Sequence, residues 1–175
     1  MRIIVESTFG SPNKYYITSR LKPRHVIVRQ KSTGSEIDLD IDDVEKTLSE
    51  IISRYFVTGW RMADSANSMQ DCSYNEEIIG CLLKRIRPLF EQERYWEAHE
   101  FLEKHWKLAW GRTKQEIQLI IYLCVSMIKG QMGQRGEAER VYMRTKKALE
   151  NFGPSELSRI KLPHKYSYPL KLHIS

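Results

Sequence analysis

The chain has 175 residues, enough for one ordinary domain or two small ones. Hydrophobic residues make up 41% of it and charged residues 29%, which allows a packed core and excludes general disorder. The net charge of +6 permits an anionic partner but does not require one.

Residues 1–59 predict a small antiparallel β-meander with one helix. The strand candidates, separated by turn clusters, are residues 3–9, 15–21, 25–30 and 36–41. The last of these alternates apolar and acidic residues, as a half-buried strand does. The helix that follows carries its apolar residues on one side, so we expect it to cover the sheet. Asp42 and Glu45 at its start resemble a capping box.

Residues 60–73 have little apolar periodicity and predict a connector, whereas residues 74–153 predict a four-helix antiparallel bundle. Four helical stripes joined by short connections favour antiparallel neighbours around one core. The third helix, residues 114–131, is apolar on most sides and is expected to be the most buried. A basic tail, residues 154–175, is predicted to be extended.

The apolar stretches and the cysteines predict a cytoplasmic protein without a membrane partner. The longest apolar stretch, residues 117–128, is shorter than the roughly 20 residues of a membrane span, and the N-terminus lacks the pattern of a signal peptide. Cys72, Cys81 and Cys124 form no CxxC pair, so we expect free thiols in a reducing compartment.

A polar pair interrupts the apolar stripe of the second helix of the predicted bundle. The stripe consists of Tyr95, Ala98, His99, Leu102, Trp106 and Ala109. His99 is predicted near its centre, and Glu103 lies one turn further along at its edge. Burying a polar group without a partner costs about 1–3 kcal/mol. The pair therefore either satisfies itself or holds a ligand.

A divalent metal is the first candidate ligand. His99 and Glu103 offer one nitrogen and one oxygen donor, which zinc, manganese or iron would accept, but a closed site needs about four ligands. The other candidates, as pocket walls or as groups that orient a ligand, are Glu100, Trp96, Trp106 and Gln118. The HExxH and ExxH patterns are absent. Metal binding and a structural His–Glu hydrogen bond both stay open.

Two other classes of function also stay open. Residues 94–98 and 134–138 each begin a helix with a Glu-Ala step, about 40 residues apart, which is similar to tetratricopeptide-like hairpins. Two units without a matched consensus favour an isolated bundle over a solenoid, and they leave open a helical interaction module in which a partner or a second copy of the chain covers an apolar face. Nucleic-acid binding through Arg29, Lys31 and the basic tail is disfavoured by the acids of the neighbouring strand. Because no substrate can be named, we expect a non-enzymatic protein.

Residues 95–106 (YWEAHEFLEKHW) resemble the signature of a prokaryotic helical family known as domain of unknown function 309. The family motif HxxxExx(W/Y) maps onto His99, Glu103 and Trp106, and the resemblance extends over about residues 76–152. It implies an all-α domain without an established biochemical function, in which metal binding by the motif has been suggested.

The third helix departs from the family pattern in a way that bears on metal binding. Gln118 is kept, but Leu119 and Tyr122 stand where members often carry a Gly and a second Gln. Ile128 and Lys129 stand where a His is usual. A potential metal ligand is therefore lost, and Gln118 is the best candidate partner of the His99–Glu103 pair.

Overall fold

Two compact units, residues 1–65 and residues 66–175, make up the chain. The computed structural model describes residues 2–7, 17, 21, 23–55, 57–62, 72, 78–163, 165–169 and 173–174. The first unit is an antiparallel sheet with a helix and the second is a set of packed helices, which confirms the predicted α+β class. Along the described residues, no helix combines the length and the apolar character needed to cross a membrane.

Four antiparallel strands form the sheet of the first unit. They are β1 (Arg2–Ser7), β2 (His25–Lys31), β3 (Gly34–Asp40) and β4 (Val57–Met62), in the spatial order β2-β3-β1-β4. Helix α1 (Val44–Ile52) packs on one face, where its buried Leu48 and Ile51 join the apolar residues of β1 and β3. The predicted strand at residues 15–21 lies outside the described residues, apart from Ile17 and Leu21.

The helix α1 begins one residue later than its sequence suggests. Its N-cap is Asp43, whose carboxylate accepts a hydrogen bond of 3.0 Å from the Lys46 N–H, so the predicted cap Asp42 is wrong. Strand β4 also corrects the sequence analysis, because residues 60–62 of the predicted connector pair with β1. The sequence of β4 has no apolar alternation, and its place comes from this pairing.

Two of the three acidic residues of β3 are held by an arginine on the face opposite Ile37 and Leu39. Arg29 donates to Glu36 at 2.9 Å and to Asp38 at 2.8 Å, and all three side chains are buried. Arg29, a candidate for contact with phosphates, is therefore committed to two carboxylates.

Among its described residues, the second unit has four α-helices, which pack on one another in chain order. They are α2 (Ile78–Glu91), α3 (Tyr95–Leu108), α4 (Gly111–Gln131) and α5 (Arg135–Asn151). Helix α4 is buried on most sides, as its sequence predicts. A 3₁₀ helix (Glu156–Arg159) leads to strand β5 (Ile160–Lys161), which pairs with β6 (His173–Ile174).

The α2–α3 and α4–α5 hairpins use the same turn, 40 residues apart. Arg94 N–H donates to the Leu89 carbonyl at 2.7 Å, and Gln134 N–H donates to the Lys129 carbonyl at 2.9 Å. The residue before each donor has a positive φ, 55° at Glu93 and 76° at Gly133. This is the geometry of a Schellman C-cap. The weak repeat seen in the sequence is therefore a repeated structural unit.

Two of the three cysteines are not the free thiols that the sequence suggests. Cys72 and Cys81 form a disulfide, with their Cα atoms 6.1 Å apart, and Cys124 is free and buried. Cys72 therefore lies beside the first turn of α2, which spacing along the chain does not reveal. The bond removes the cysteine-based argument for a reducing compartment.

Candidate functional site

His99 and Glu103 lie one turn apart on α3, at the border between the core and the surface. His99 Nε2 is 3.9 Å from Glu103 Oε1. The side chain of His99 is 16% exposed and that of Glu103 is 45% exposed. The two residues therefore form a loose, half-exposed pair, in which the carboxylate remains largely hydrated.

The buried side of α3 is rotated relative to the predicted stripe. Its buried residues are Tyr95, Glu97, Ala98, Phe101, Leu102 and His105. The middle of this set lies at Ala98 and His105, and Ala98 is one helical step of about 100° away from His99. His99 is therefore at the edge of the buried side, because α3 packs against both α2 and α4 rather than against a single neighbour.

The ring of His99 packs against Trp96 on the same helix. The two rings are nearly parallel, with centroids 5.7 Å apart and an interplanar angle of 11°. His99 Nδ1 is buried and makes no hydrogen bond to any described residue. Stacking thus fixes the imidazole plane and leaves Nε2 directed toward Glu103.

The other predicted members of the site do not complete a metal centre. Gln118 makes no hydrogen bond to His99 or Glu103 within the described part of the chain. The Trp106 ring is covered by Lys114, whose Nζ lies 4.4 Å from its centroid. Over the described residues, no three His, Cys, Asp or Glu side chains are close enough together to hold a metal ion. Glu100 is partly buried on the same helix.

The buried carboxylate of the motif is Glu97. Arg94 Nε donates to Glu97 Oε1 at 2.9 Å, and Arg94 Nη2 bonds the second carboxylate oxygen. This bidentate pair joins the α2–α3 turn to the first turn of α3. The signal available in the sequence was the i, i+3 spacing of an Arg and a Glu at a helix start.

The most buried histidine on α3 is His105 rather than His99. Its Nδ1 lies 3.0 Å from the Phe101 carbonyl, and the Cys72 N–H donates to its Nε2 at 3.4 Å. The first contact requires a proton on Nδ1 and the second a lone pair on Nε2, which assigns the Nδ1–H tautomer. His105 therefore ties α3 to the segment that carries Cys72.

A second candidate site is a groove across the hairpins, which the C-terminal segment (residues 162–163 and 165–169) fills. Leu162, Tyr166 and Tyr168 pack against the helical core from this segment. The Tyr142 hydroxyl on α5 donates to the Pro163 carbonyl at 2.7 Å, and the Tyr166 ring meets the Tyr142 ring edge-on, with centroids 5.6 Å apart. The segment is thus held both by its backbone and by its side chains.

Gly130 on α4 forms the floor of this groove. A Cβ at residue 130 would overlap the Tyr166 hydroxyl and lie 3.2 Å from Tyr168 Cδ2. Glycine inside a helix costs roughly 1 kcal/mol relative to alanine. The close approach of the two tyrosines explains why this residue lacks a side chain.

The far end of the groove lies at the α2–α3 turn. The Tyr168 hydroxyl donates to Glu93 Oε2 at 2.6 Å, and Gln131 Nε2 donates to the Glu93 carbonyl at 2.7 Å. Burial, followed by the bond to Glu93, raises the pKa of Tyr168, and burial raises the pKa of Tyr166. Burial also raises the pKa of Tyr142 to about 12. The segment is thus fastened by protonated phenols.

One family model matches the helical unit. Residues 83–141, from α2 into α5, match the model of a domain of unknown function, DUF309, which confirms the resemblance noted in the sequence. The matched residues include both hairpin turns and the whole of α3 and α4. No curated protein and no solved structure matches the chain.

Proposed function

The chain contains a DUF309 domain over residues 83–141, and we propose that the helical unit around it is an interaction module that holds an extended, tyrosine-bearing peptide. The observation that carries this proposal is the seating of the chain's own C-terminal segment across α5, α4 and the α2–α3 turn. A partner segment of the same chemistry is the expected ligand, and the chain's own segment competes with it.

The groove recognises an extended peptide at three successive places. Tyr142 donates a hydrogen bond to a backbone carbonyl, Gly130 lets an aromatic ring lie against the helix backbone, and Glu93 accepts a hydrogen bond from a phenolic hydroxyl. Backbone bonds supply affinity and side-chain pockets supply specificity in such recognition. The Tyr-Ser-Tyr sequence of residues 166–168 gives the pattern that a competing peptide would reproduce.

Exchange with a partner is feasible because the strand that precedes the segment makes only a short pairing. The pairing of β5 with β6 involves two residues on each strand. A tethered ligand has an effective concentration in the millimolar range, so it competes strongly with a free peptide. We therefore expect weak binding of a free peptide to the intact chain and tighter binding after the tether's contacts are removed.

A metal does not form part of this proposal. His99 and Glu103 offer two donors, whereas a structural zinc site takes about four ligands and a catalytic one about three. The proposal assigns the pair to the border of the α3 packing, with Trp96 against the imidazole.

A peptide-binding experiment tests the proposal. A fluorescent peptide of residues 160–169 is titrated with the intact chain and with a full-length chain carrying Tyr166→Ala and Tyr168→Ala, and anisotropy is measured. The double variant empties the groove without altering its walls and should bind the peptide at least tenfold more tightly. Tyr122→Ala, on an exposed face of α4, should behave as the unmodified chain. Absence of peptide binding to the double variant would refute the proposal.

A further inference from the structure

The junction of α3 and α4 exposes two large apolar side chains, one on the last residue of α3 and one on the N-cap residue of α4. Leu108 is 65% exposed and Trp110 is 77% exposed, more than any other exposed large hydrophobic residue in the described part of the chain. Ala109 between them is buried and anchors the junction to the helical core. The two side chains are therefore held outward by a fixed backbone.

The surroundings of these two side chains are basic. Residues 104–115 contain no Asp or Glu and carry four basic residues, Lys104, Lys107, Arg112 and Lys114. Arg112 is held by its donation to the Pro154 carbonyl at 2.6 Å, and its Nε lies 3.9 Å from the carboxylate of the buried Glu116. The half-exposed Glu103 is the nearest acid before this stretch. Basic residues thus flank the exposed apolar pair along the chain, and Lys104 and Lys107 are exposed.

We propose that this basic corner (Leu108 and Trp110 with their four basic neighbours) docks the protein onto an anionic membrane surface. Tryptophan prefers the interface between headgroups and hydrocarbon, and an adjacent leucine adds apolar burial there. Basic side chains add attraction to anionic lipids. A single-stranded nucleic acid would stack on Trp110 and pair with the lysines, but it would leave Leu108 without a role.

The corner needs no membrane-spanning segment. The sequence-based expectation of no membrane partner rests on the missing span and on the missing signal peptide, whereas a corner of this kind lies in the interface. This docking is also independent of the peptide groove, because neither Leu108 nor Trp110 contributes to the groove.

The test is flotation of the full-length chain with phosphatidylcholine vesicles, with and without phosphatidylserine. We expect binding that requires phosphatidylserine and weakens with added salt. Lys107→Glu should lower the partition coefficient about tenfold or more, since each basic side chain near an anionic surface contributes about 1 kcal/mol. Lys147→Glu, on exposed α5, makes the same change in net charge and should have a much smaller effect.

Substitution of the apolar pair separates insertion from charge attraction. Trp110→Ala and Leu108→Ser should each lower binding several-fold, whereas Met143→Ala, at an exposed apolar residue of α5, should not. Because Leu108 and Trp110 are exposed, the melting temperatures of these two variants should stay close to that of the unmodified chain. Three results would overturn the proposal: no vesicle binding, equal losses for Lys107→Glu and Lys147→Glu, or a dependence on Trp110 seen with single-stranded RNA and not with vesicles.

Discussion

The Tyr168 hydroxyl donates a 2.6 Å hydrogen bond to Glu93 Oε2, although the two residues are 75 positions apart. This bond joins the C-terminal segment to the turn at which α2 passes into α3. Glu93 has a φ of 55°, where the equivalent turn of the second hairpin has Gly133. A non-glycine residue in this region costs about 1–2 kcal/mol. The acceptor for Tyr168 explains why a side chain is present here.

Tyr168→Phe should loosen the C-terminal segment without unfolding the helices. The change removes a hydrogen bond to a carboxylate, which is worth about 1.5–3 kcal/mol. Amide hydrogen exchange should become faster in residues 162–169, while exchange in α4 stays close to that of the unmodified chain. Unchanged exchange in the segment would mean that this bond does not hold it.

Tyr166→Phe is the matched control for Tyr168→Phe. It should leave the stability of the chain unchanged or raise it. The Tyr166 hydroxyl is buried and has no hydrogen-bond partner among the described residues. Removing an unsatisfied polar group from a buried position is nearly neutral or stabilising. Urea denaturation should therefore give an unfolding free energy equal to or above that of the unmodified chain. A clearly lower unfolding free energy would mean that this hydroxyl makes a hydrogen bond in the folded chain.

Gly130→Ala should displace the C-terminal segment even though alanine favours a helix. The new methyl group would overlap the Tyr166 hydroxyl. We expect faster protease cleavage within residues 162–169, with helical circular dichroism preserved.

Two further variants locate the cause of the Gly130→Ala effect. Gly136→Ala places a methyl group in open space on α5 and should leave cleavage unchanged. In a chain that already carries Tyr166→Ala and Tyr168→Ala, Gly130→Ala should add no further cleavage, because both side chains that approach residue 130 are gone. An additive effect in that chain would show that residue 130 acts through the helix and not through the segment.

Alkaline pH should release the C-terminal segment. The pKa values of Tyr142, Tyr166 and Tyr168 are raised in the folded chain, with Tyr142 at about 12. The folded chain therefore keeps protons that the released segment loses above the ordinary phenol pKa of about 10. The stabilisation is fully present below about pH 10 and falls as the pH rises through the folded values. Residue-specific ¹³C-tyrosine NMR should show these late titrations, and Tyr168→Phe should make the dependence shallower.

Glu97, rather than Glu103, should carry the stability of the motif. Glu97 is buried and paired with Arg94, so Glu97→Gln should cost about 3 kcal/mol of unfolding free energy. Glu103 is half-exposed, so Glu103→Gln should cost less than about 1 kcal/mol. Urea denaturation of both variants measures the difference. A larger loss for Glu103→Gln would require a partner of this residue that the structure does not contain.

Metal binding by the His99–Glu103 pair can be tested separately. Elemental analysis of the chain purified without a histidine tag should give no stoichiometric zinc, manganese or iron. His99→Ala should lower the melting temperature modestly through the loss of stacking on Trp96. Stoichiometric metal that disappears in His99→Ala would instead establish a metal site.

Local patterns in the sequence were sufficient for the helices and for the family motif. The apolar stripe of α2 and the apolar character of α4 on most of its sides predict helices that pack into the core, as both do. On α3 the predicted apolar stripe and the observed buried side differ by a rotation of about one helical step. The packing of α3 between two neighbours turns Ala98 and His105 inward, and this rotation depends on tertiary structure.

The peptide groove depends on contacts that sequence proximity does not reveal. Tyr168 meets Glu93 across 75 residues, and Tyr142 meets Pro163 across 21. One local signal was present, since Gly130 interrupts an otherwise strong helical pattern without ending it. Strand β4 likewise depends on a distant partner, because its residues pair with β1 at the other end of the first unit's sequence.

Hydrogen exchange in the presence of a competing peptide decides whether the C-terminal segment is an exchangeable ligand of the groove. Full-length chain is incubated with an excess of unlabelled peptide of residues 160–169, and exchange is followed in the chain's own segment. We expect faster amide hydrogen exchange in residues 162–169 of the chain while α4 and α5 stay protected, because the peptide replaces the segment in the groove. Unchanged exchange in that segment at saturating peptide would contradict an exchangeable ligand and leave the segment as a fixed part of the fold.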